Sequence, residues 1–443
     1  MPPAIRGVIE GFYGRPWLVE ERLLVMAECA RWGLTDYVYA PKDDPKHRAE
    51  WRAPYDDAEL SGFERLAAAG TLRLGFGISP GLSIDPSSDA DAADLAAKCD
   101  QVVDAGARLV VLCLDDIPFG GGEQGRDHAR VATRLREHLG DRADLAFVPT
   151  EYVGIRSTPY LQGLAEGLPE DVPVGWTGDA VVNDAITATQ ARRRADALDG
   201  RPPLVWDNTP VNDGLMSERL HMGPLWGRDP GLLADGVVSG WLANPMVQPV
   251  ASLLPVASMA GWLRGEDPLD VWAAEADRRG WRIFAEACDG TAPRALVAVL
   301  ADQLRAGRIE PEDVAVARRW FEEAAAVEAP RIDDACNPWL EAVRSEAGVA
   351  LAALDLIEAA LAGHGGADTD VVSKVFVLGY QWKALQRSKV SVLGPRLGFR
   401  PVLGQAPDGT WTVRRASLLQ GENAVDALCR LAFDTADWAA DQP

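Results

Sequence analysis

The chain has 443 residues, 47% of them hydrophobic and 25% charged, with a formal net charge of −22 and a sequence pI of about 4.7. That length suits two or three domains with a sizeable core. A surface this acidic repels phosphate backbones, so neither nucleic acid nor an anionic membrane is expected as a partner. No apolar run reaches the roughly eighteen residues of a membrane span. Met1 to Arg6 lacks the basic and then apolar pattern of a signal peptide, so a cytoplasmic protein is expected. The six cysteines (Cys29, Cys99, Cys113, Cys288, Cys336, Cys429) are widely spaced, with no CxxC pair. Reduced, buried or half-buried thiols are expected rather than disulfides or a zinc site.

The first half repeats one pattern, a short apolar run that ends in polar or glycine residues and leads into a helical stretch. The runs are Arg6–Glu10, Tyr37–Ala40, Leu72–Ile78, Val110–Leu114, Leu145–Val148, Val172–Trp176, Leu204–Trp206 and Gly236–Leu242. Between the first two, Leu23, Leu24, Ala27 and Ala30 fall close to 3.6-residue spacing, with Gly33 placed for a C-cap. The fourth run ends in Asp115-Asp116. An unpaired carboxylate inside a strand buried on both faces costs several kcal/mol, so the pair belongs where the strand stops. Eight strands alternating with helices over about 260 residues give the count and length of a (β/α)8 TIM barrel. A doubly wound open sheet is the competitor, but no GxGxxG turn is present. In a barrel all eight polar tips open on one face, which makes the aspartate pair part of a candidate active site.

From about Asp267 the strands stop. Ala-rich helical stretches run near 268–288, 291–306, 311–328, 336–362 and 367–388, with a last helix from about 422 to 440. Val343, Ala347, Leu351, Leu354, Ile357 and Leu361 trace an apolar stripe, as in the core of a bundle. Residues 393–413 are rich in Gly and Pro and read as a loop or extended arm with a turn at Pro407-Asp408-Gly409. The domains expected are therefore 1–265, a (β/α)8 catalytic barrel, and 266–443, an all-α helical bundle carrying that arm.

The strand tips resemble those of glycoside hydrolase family 84, the O-GlcNAcase and hyaluronidase-like β-N-acetylglucosaminidases. The resemblance rests on Gly7-Val-Ile-Glu-Gly-Phe-Tyr-Gly-Arg-Pro-Trp17, Tyr39-Ala-Pro-Lys-Asp-Asp44 with Lys46-His47-Arg48, and Ile78-Ser-Pro-Gly-Leu82. It continues through Leu114-Asp-Asp-Ile117, Pro149-Thr-Glu-Tyr152, Trp176-Thr-Gly178, Trp206-Asp-Asn208 with Asn212-Asp213, Gly223-Pro224 with Gly227-Arg228, and Asn244-Pro245. These cover about residues 5–262 in the family's order.

The resemblance implies retaining hydrolysis of a terminal β-linked N-acetylglucosamine, on a glycoprotein, a glycan or a small glycoside. No enzyme nucleophile is involved; the acetamido oxygen attacks C1 and forms an oxazoline. It implies that Asp115 accepts the acetamido N–H and that Asp116 is the acid/base. Tyr152 would reach the acetamido group and Asn208 would help hold it. Lys42, Asp213, Asn244 and the Gly11 carbonyl would read the sugar hydroxyls. Trp206 and Tyr13 are pocket walls or barrel core, and Trp176 and Thr177 are further wall candidates. No cofactor and no metal are expected, since Lys46 interrupts the acidic run at Asp43-Asp44 and no second His stands near His47. The remaining histidines show no triad spacing. The helical half has no nucleotide-binding turn to support an acetyltransferase activity.

Two departures from the family pattern concern the leaving-group side. Thr209-Pro210-Val211 replaces the usual linker, and Phe119–Gly125 reads as a glycine-rich, mobile rim. A homodimer is predicted, with light scattering as its check. The alternative function is a non-catalytic GlcNAc-binding scaffold that kept the barrel.

Overall fold

Each of the eight apolar runs forms a strand in the computed structural model, which describes residues 5–362, 369–385, 390–394, 398–405, 411–419 and 423–440. The strands are β1 (Ile5–Glu10), β2 (Asp36–Tyr39), β3 (Arg73–Ile78), β4 (Leu109–Cys113), β5 (Asp144–Val148), β6 (Val174–Trp176), β7 (Pro203–Asp207) and β8 (Gly240–Ala243). Each pairs in parallel with the next, and β8 pairs with β1 to close the barrel. β6 and β8 start clearly later than their apolar runs. The carbonyl of Pro173 accepts from Phe147, but proline has no N–H to continue the ladder. Ahead of β8, Gly236 has φ 76° and Val237 bonds back to Ala234, which makes a turn of the residues before Gly240.

The crossover helices are α1 (Val19–Arg31), α2 (Asp57–Ala68), α3 (Asp89–Asp104), α4 (Gly121–Leu139), α5 (Pro159–Gly167) and α6 (Ala188–Asp196), with α7 (Pro249–Leu263) after β8. The β7–β8 connection departs from the pattern. It contains short 3-10 turns at Gly214–Met216 and Pro230–Leu233 where an α-helix would stand. Along β4 the side chains alternate. Leu109, Val111 and Cys113 join Ile9, Val38, Ala40, Val148, Trp206 and others in the barrel interior. Val110 and Leu112, on the opposite face, are fully buried as well.

Of the stretch read as a mobile rim, residues 121–125 lie in a helix. Gly121 begins α4, and Gly122 and Gly125 lie against α5. A Cβ on Gly125 would stand 2.1 Å from the Tyr160 carbonyl oxygen. The glycines permit close helix packing here.

The chain divides into two compact units. One holds Met1–Gly214, Pro224–Trp272 and Pro401–Ala416, and the other Leu215–Gly223, Ala273–Arg400 and Ser417–Pro443. After α8 (Pro268–Arg279), the second unit contains α9 (Arg282–Asp289), α10 (Thr291–Arg305), α11 (Pro311–Ala325), α12 (Asn337–Ala362), α13 (Thr369–Leu385) and α14 (Ala424–Ala440). The apolar stripe of α12 buries Val343, Ala347, Leu354 and Ile357, and the helix packs against α11, α13 and α14. The stretch read as an arm carries a two-stranded sheet, β9 (Gly398–Gln405) with β10 (Trp411–Leu419); the turn expected at 407–409 lies outside the described residues. All six cysteines are buried and outside any disulfide. No described helix is long and apolar enough to cross a membrane.

Candidate active site

The interior row of β4 runs on into Asp115. Leu114 keeps the ladder through its N–H to Val148 O at 2.8 Å, and Thr150 Oγ1 donates to Leu114 O at 2.6 Å, tying the tips of β4 and β5 together. Asp115 is two residues beyond Cys113 and continues the inward alternation. It is 6% exposed. Lys42 Nζ, at the tip of β2, donates to its Oδ2 at 2.6 Å. Burial works against the charge on Lys42, but the Asp115 carboxylate outweighs it and holds the ammonium above its ordinary range. The other oxygen, Oδ1, is buried and has no hydrogen-bond partner among the described residues. A buried carboxylate oxygen of this kind calls for a donor from outside the chain, a water or a ligand.

Asp116 turns away from that row. Its φ is 52°, in the left-handed region that Asp enters more readily than most residues, at a cost of about 1–2 kcal/mol. The turn points its carboxylate to a more open place, with the side chain 33% exposed. Two hydroxyls bracket it: Tyr13 donates to Oδ2 at 3.0 Å and Tyr152 to Oδ1 at 2.9 Å. Burial and the neighbouring carboxylate push the Tyr13 phenol up to about 12, and the same causes raise Tyr152 well above its ordinary value. Both phenols therefore keep their protons at neutral pH.

The remaining predicted residues join the same network. Lys42 Nζ lies 5.8 Å from the centre of the Trp206 ring. Trp206 Nε1 donates to Asn208 Oδ1 at 2.9 Å, which also accepts from Asn244 Nδ2 at 2.9 Å. Asn244 Oδ1 accepts from the Gly11 N–H at 3.1 Å, and Asn208 Nδ2 donates to Val181 O at 2.8 Å. Each asparagine is thus held by its oxygen and one N–H, with a second N–H left over. A Cβ on Gly11 would sit 2.3 Å from Trp206 Cζ2, so only glycine lets the β1 tip lie against the indole. Asp213 accepts from the Tyr13 N–H at 2.8 Å, and burial raises its carboxyl above its ordinary range. Gly11, Lys42, Asp115, Asp116, Tyr152, Trp206, Asn208, Asp213 and Asn244 therefore converge from the tips of β1, β2, β4, β5, β7 and β8.

The wall candidates divide. Trp206 is 6% exposed and belongs to the interior cluster, whereas Tyr13 is 45% exposed and is no part of the core. Trp176 is fully buried, with Nε1 on Gly154 O at 2.9 Å, and Thr177 Oγ1 donates to Ala180 O at 2.9 Å; both are structural. The Asp43–His47 run is occupied in packing. Asp43 accepts from Gly14 N, Asp44 from the Tyr39 and Tyr55 hydroxyls, and Lys46 pairs with Glu59. His47 Nδ1 is 2.8 Å from Gly77 O, an acceptor only, so Nδ1 carries the proton. Burial, with Lys42's charge, pulls His47 down to about 3 and keeps it neutral. The Thr209–Pro210 peptide bond is cis, and Thr209 Oγ1 accepts from Arg228, whose guanidinium pairs with Asp207.

Three contacts to Asp116 are absent from the sequence reading, the Tyr152 hydroxyl among them. The Tyr13 hydroxyl lay in a motif read as wall or core, and Arg48, whose Nη2 donates to Asp116 O at 3.2 Å, lay in a run with no role assigned. Lys46-His47-Arg48 beside a lysine-bearing strand tip was the available signal.

The family described as beta-N-acetylglucosaminidase matches residues 6–292. The chain is 34% identical over 275 residues to the Protein O-GlcNAcase of Rattus norvegicus and equally to that of Mus musculus. Each match takes in 58% of this chain and 30% of the relative, so the chain spans under a third of the length of these relatives. Among solved structures, a mutant of the Thermobaculum terrenum O-GlcNAc hydrolase aligns over 98% of this chain and 94% of that one, with a TM-score of 0.80 and 25% identity. CpGH84B, at 24% identity and a TM-score of 0.78 over 88% of this chain and 75% of its own, shares the fold. With the family matched across the whole barrel and its strand tips, the chain belongs to the β-N-acetylglucosaminidase family of glycoside hydrolase family 84.

Proposed function

We propose that the protein is a retaining β-N-acetylglucosaminidase that removes terminal β-linked N-acetylglucosamine with the substrate's own acetamido oxygen as nucleophile. The observation that carries this reading is Asp115: a buried carboxylate with one oxygen on Lys42 and the other open. Drawn toward Lys42, it is a weak nucleophile and a good acceptor for an N–H. In the first step the acetamido oxygen bonds to C1 as the C1–leaving-oxygen bond breaks. Asp116 gives its proton to the leaving oxygen, and Asp115 holds the acetamido N–H while positive charge grows there. In the second step Asp116 takes a proton from water, which opens the oxazoline at C1. Two inversions give retention.

Tyr13 and Tyr152 suit both states of Asp116, because a hydroxyl donates to a carboxylate and accepts from a carboxyl. Tyr152 then serves the acetamido group when the sugar is present. Trp206 forms the apolar floor, and Gly11, Lys42, Asp213 and Asn244 meet the sugar hydroxyls, with Asn208 fixing Trp206 and Asn244 in place. The O-GlcNAcases among the relatives favour a glycoprotein as the natural substrate. A thiazoline sugar that mimics the oxazoline tests the mechanism. Competitive inhibition far below the concentration at which N-acetylglucosamine inhibits supports it; an active enzyme indifferent to the thiazoline contradicts it.

A further inference from the structure

Arg48 sits on the connection between β2 and α2, and that connection is pinned to β3. The His47 imidazole donates to Gly77 O at 2.8 Å, and Ser79 N donates to His47 O at 2.9 Å. The backbone next to Arg48 is therefore fixed to the barrel. From there the guanidinium makes two approaches to one residue. Nη2 donates to the Asp116 main-chain oxygen at 3.2 Å, and Nη1 stands 3.9 Å from Asp116 Oδ2. Nη1 is buried and finds no hydrogen-bond partner among the described residues, although the side chain as a whole is 13% exposed. An unsatisfied buried guanidinium nitrogen is costly, and its nearest acceptor of opposite charge is the carboxylate just out of range.

We propose that Arg48 is a positioning residue for the acid/base. It holds Asp116 in its left-handed turn through the main-chain oxygen, and it receives the Asp116 carboxylate on Nη1 once the proton has left. The inference rests on the reading of Asp116 as acid/base given above. The balance of the step is simple. The proton passes from the Asp116 carboxyl to the leaving oxygen, the electron pair of the C1–O bond goes with that oxygen, and the new carboxylate charge forms beside a guanidinium that stays protonated. Rotation of the carboxylate by a small angle closes the gap to Nη1 and gives that nitrogen its partner. Arg48 acts through Asp116. Its contribution appears only when Asp116 must give up a proton.

The test measures kcat/KM of the full chain on two β-N-acetylglucosaminides, one with a 2,4-dinitrophenyl leaving group that departs unaided and one with an alkyl leaving group that needs a proton. Arg48→Met, Arg48→Lys and Asp116→Asn are compared with wild type. Arg48→Met is expected to lose about tenfold or more on the alkyl glycoside and less than about threefold on the dinitrophenyl one, the same pattern as Asp116→Asn but shallower. Arg48→Lys keeps the charge without the fork and recovers part of the alkyl loss. Should Arg48→Met fail to fold, Arg48→Lys carries the test alone, with a loss confined to the alkyl substrate as the supporting result. Equal losses on both substrates, or no loss, while Asp116→Asn keeps its steep dependence, would overturn the role of Arg48 and leave the acid/base reading standing. Equal losses in Asp116→Asn would overturn both.

Discussion

Asp115 and Asp116 are neighbours in the chain and occupy opposite surroundings. Asp115 continues the interior row of β4, is 6% exposed and is paired with a buried lysine at 2.6 Å. Asp116 leaves that row through a positive φ, is far more open, and is held by two neutral hydroxyls with an arginine standing 3.9 Å away. One carboxylate is tied to a buried cation; the other meets two hydroxyls in a more open place. Two identical side chains thus acquire two environments from one backbone turn and the loops that reach each of them, which is what the proposed division of labour requires.

The largest effect that can break this comparison is Asp116→Asn. General acid help is worth about 10²–10⁴-fold, so the loss should approach that range on alkyl glycosides and nearly vanish on dinitrophenyl ones. A loss independent of the leaving group would erase the distinction between the two residues. Asp115→Asn should behave the other way, with about 10²–10³-fold lost on every substrate, because charge on the acetamido group develops whatever leaves. Lys42→Met should follow Asp115→Asn in kinetics and also destabilise the fold by about 3–5 kcal/mol, since it strands a buried carboxylate. The thermal or denaturant midpoint of the Lys42→Met/Asp115→Asn double variant should lie above that of Lys42→Met alone; a lower one would show that the pair is not coupled.

Smaller effects sharpen the frame around the pair. Gly11→Ala places a Cβ where Trp206 Cζ2 stands, 2.3 Å away, and must tilt the indole that Asn208 holds. KM should rise about tenfold and stability fall by about 1–3 kcal/mol, measurable by steady-state kinetics and urea denaturation. A further effect concerns acid. His47 takes a proton near pH 6.5 when unfolded and only at about 3 when folded. The unfolded state therefore binds the extra proton, and stability falls as pH drops through that window, by at most about 1.4 kcal/mol per pH unit. Replacing His47 with Asn should flatten this slope between about pH 6.5 and 4. An unchanged slope would place the acid sensitivity elsewhere, with His128, lowered by burial to about 4, as the next group to replace.

The barrel and its open face were legible because the evidence for them is local. Val110 to Leu114 cannot be anything but interior, and two carboxylates after such a run must mark its end. The eightfold recurrence then turns eight local endings into one shared pocket. Arg48 and the Tyr13 hydroxyl were not legible as partners of Asp116. Their meeting depends on how the β1 and β2 loops fold back over β4, and no spacing in the chain encodes that. Gly122 and Gly125 misled for a related reason. Glycine marks a mobile loop and a close helix contact equally well, and only the carbonyl of Tyr160 on the facing helix decides between them. The bonds that fix Asn208 were not legible: its oxygen faces Trp206 and Asn244, and the sequence pointed only to the acetamido group.

The central claim is that the substrate supplies the nucleophile and Asp115 supports it. It is tested most directly by kcat/KM on a series of aryl glycosides whose N-acetyl group carries zero, one, two and three fluorines. Fluorine withdraws electrons from the carbonyl oxygen and leaves the leaving group untouched. The wild-type rate should fall steeply with each fluorine. A flat series would mean that the acetamido oxygen takes no part in bond formation, and would return the role of nucleophile to an enzyme carboxylate.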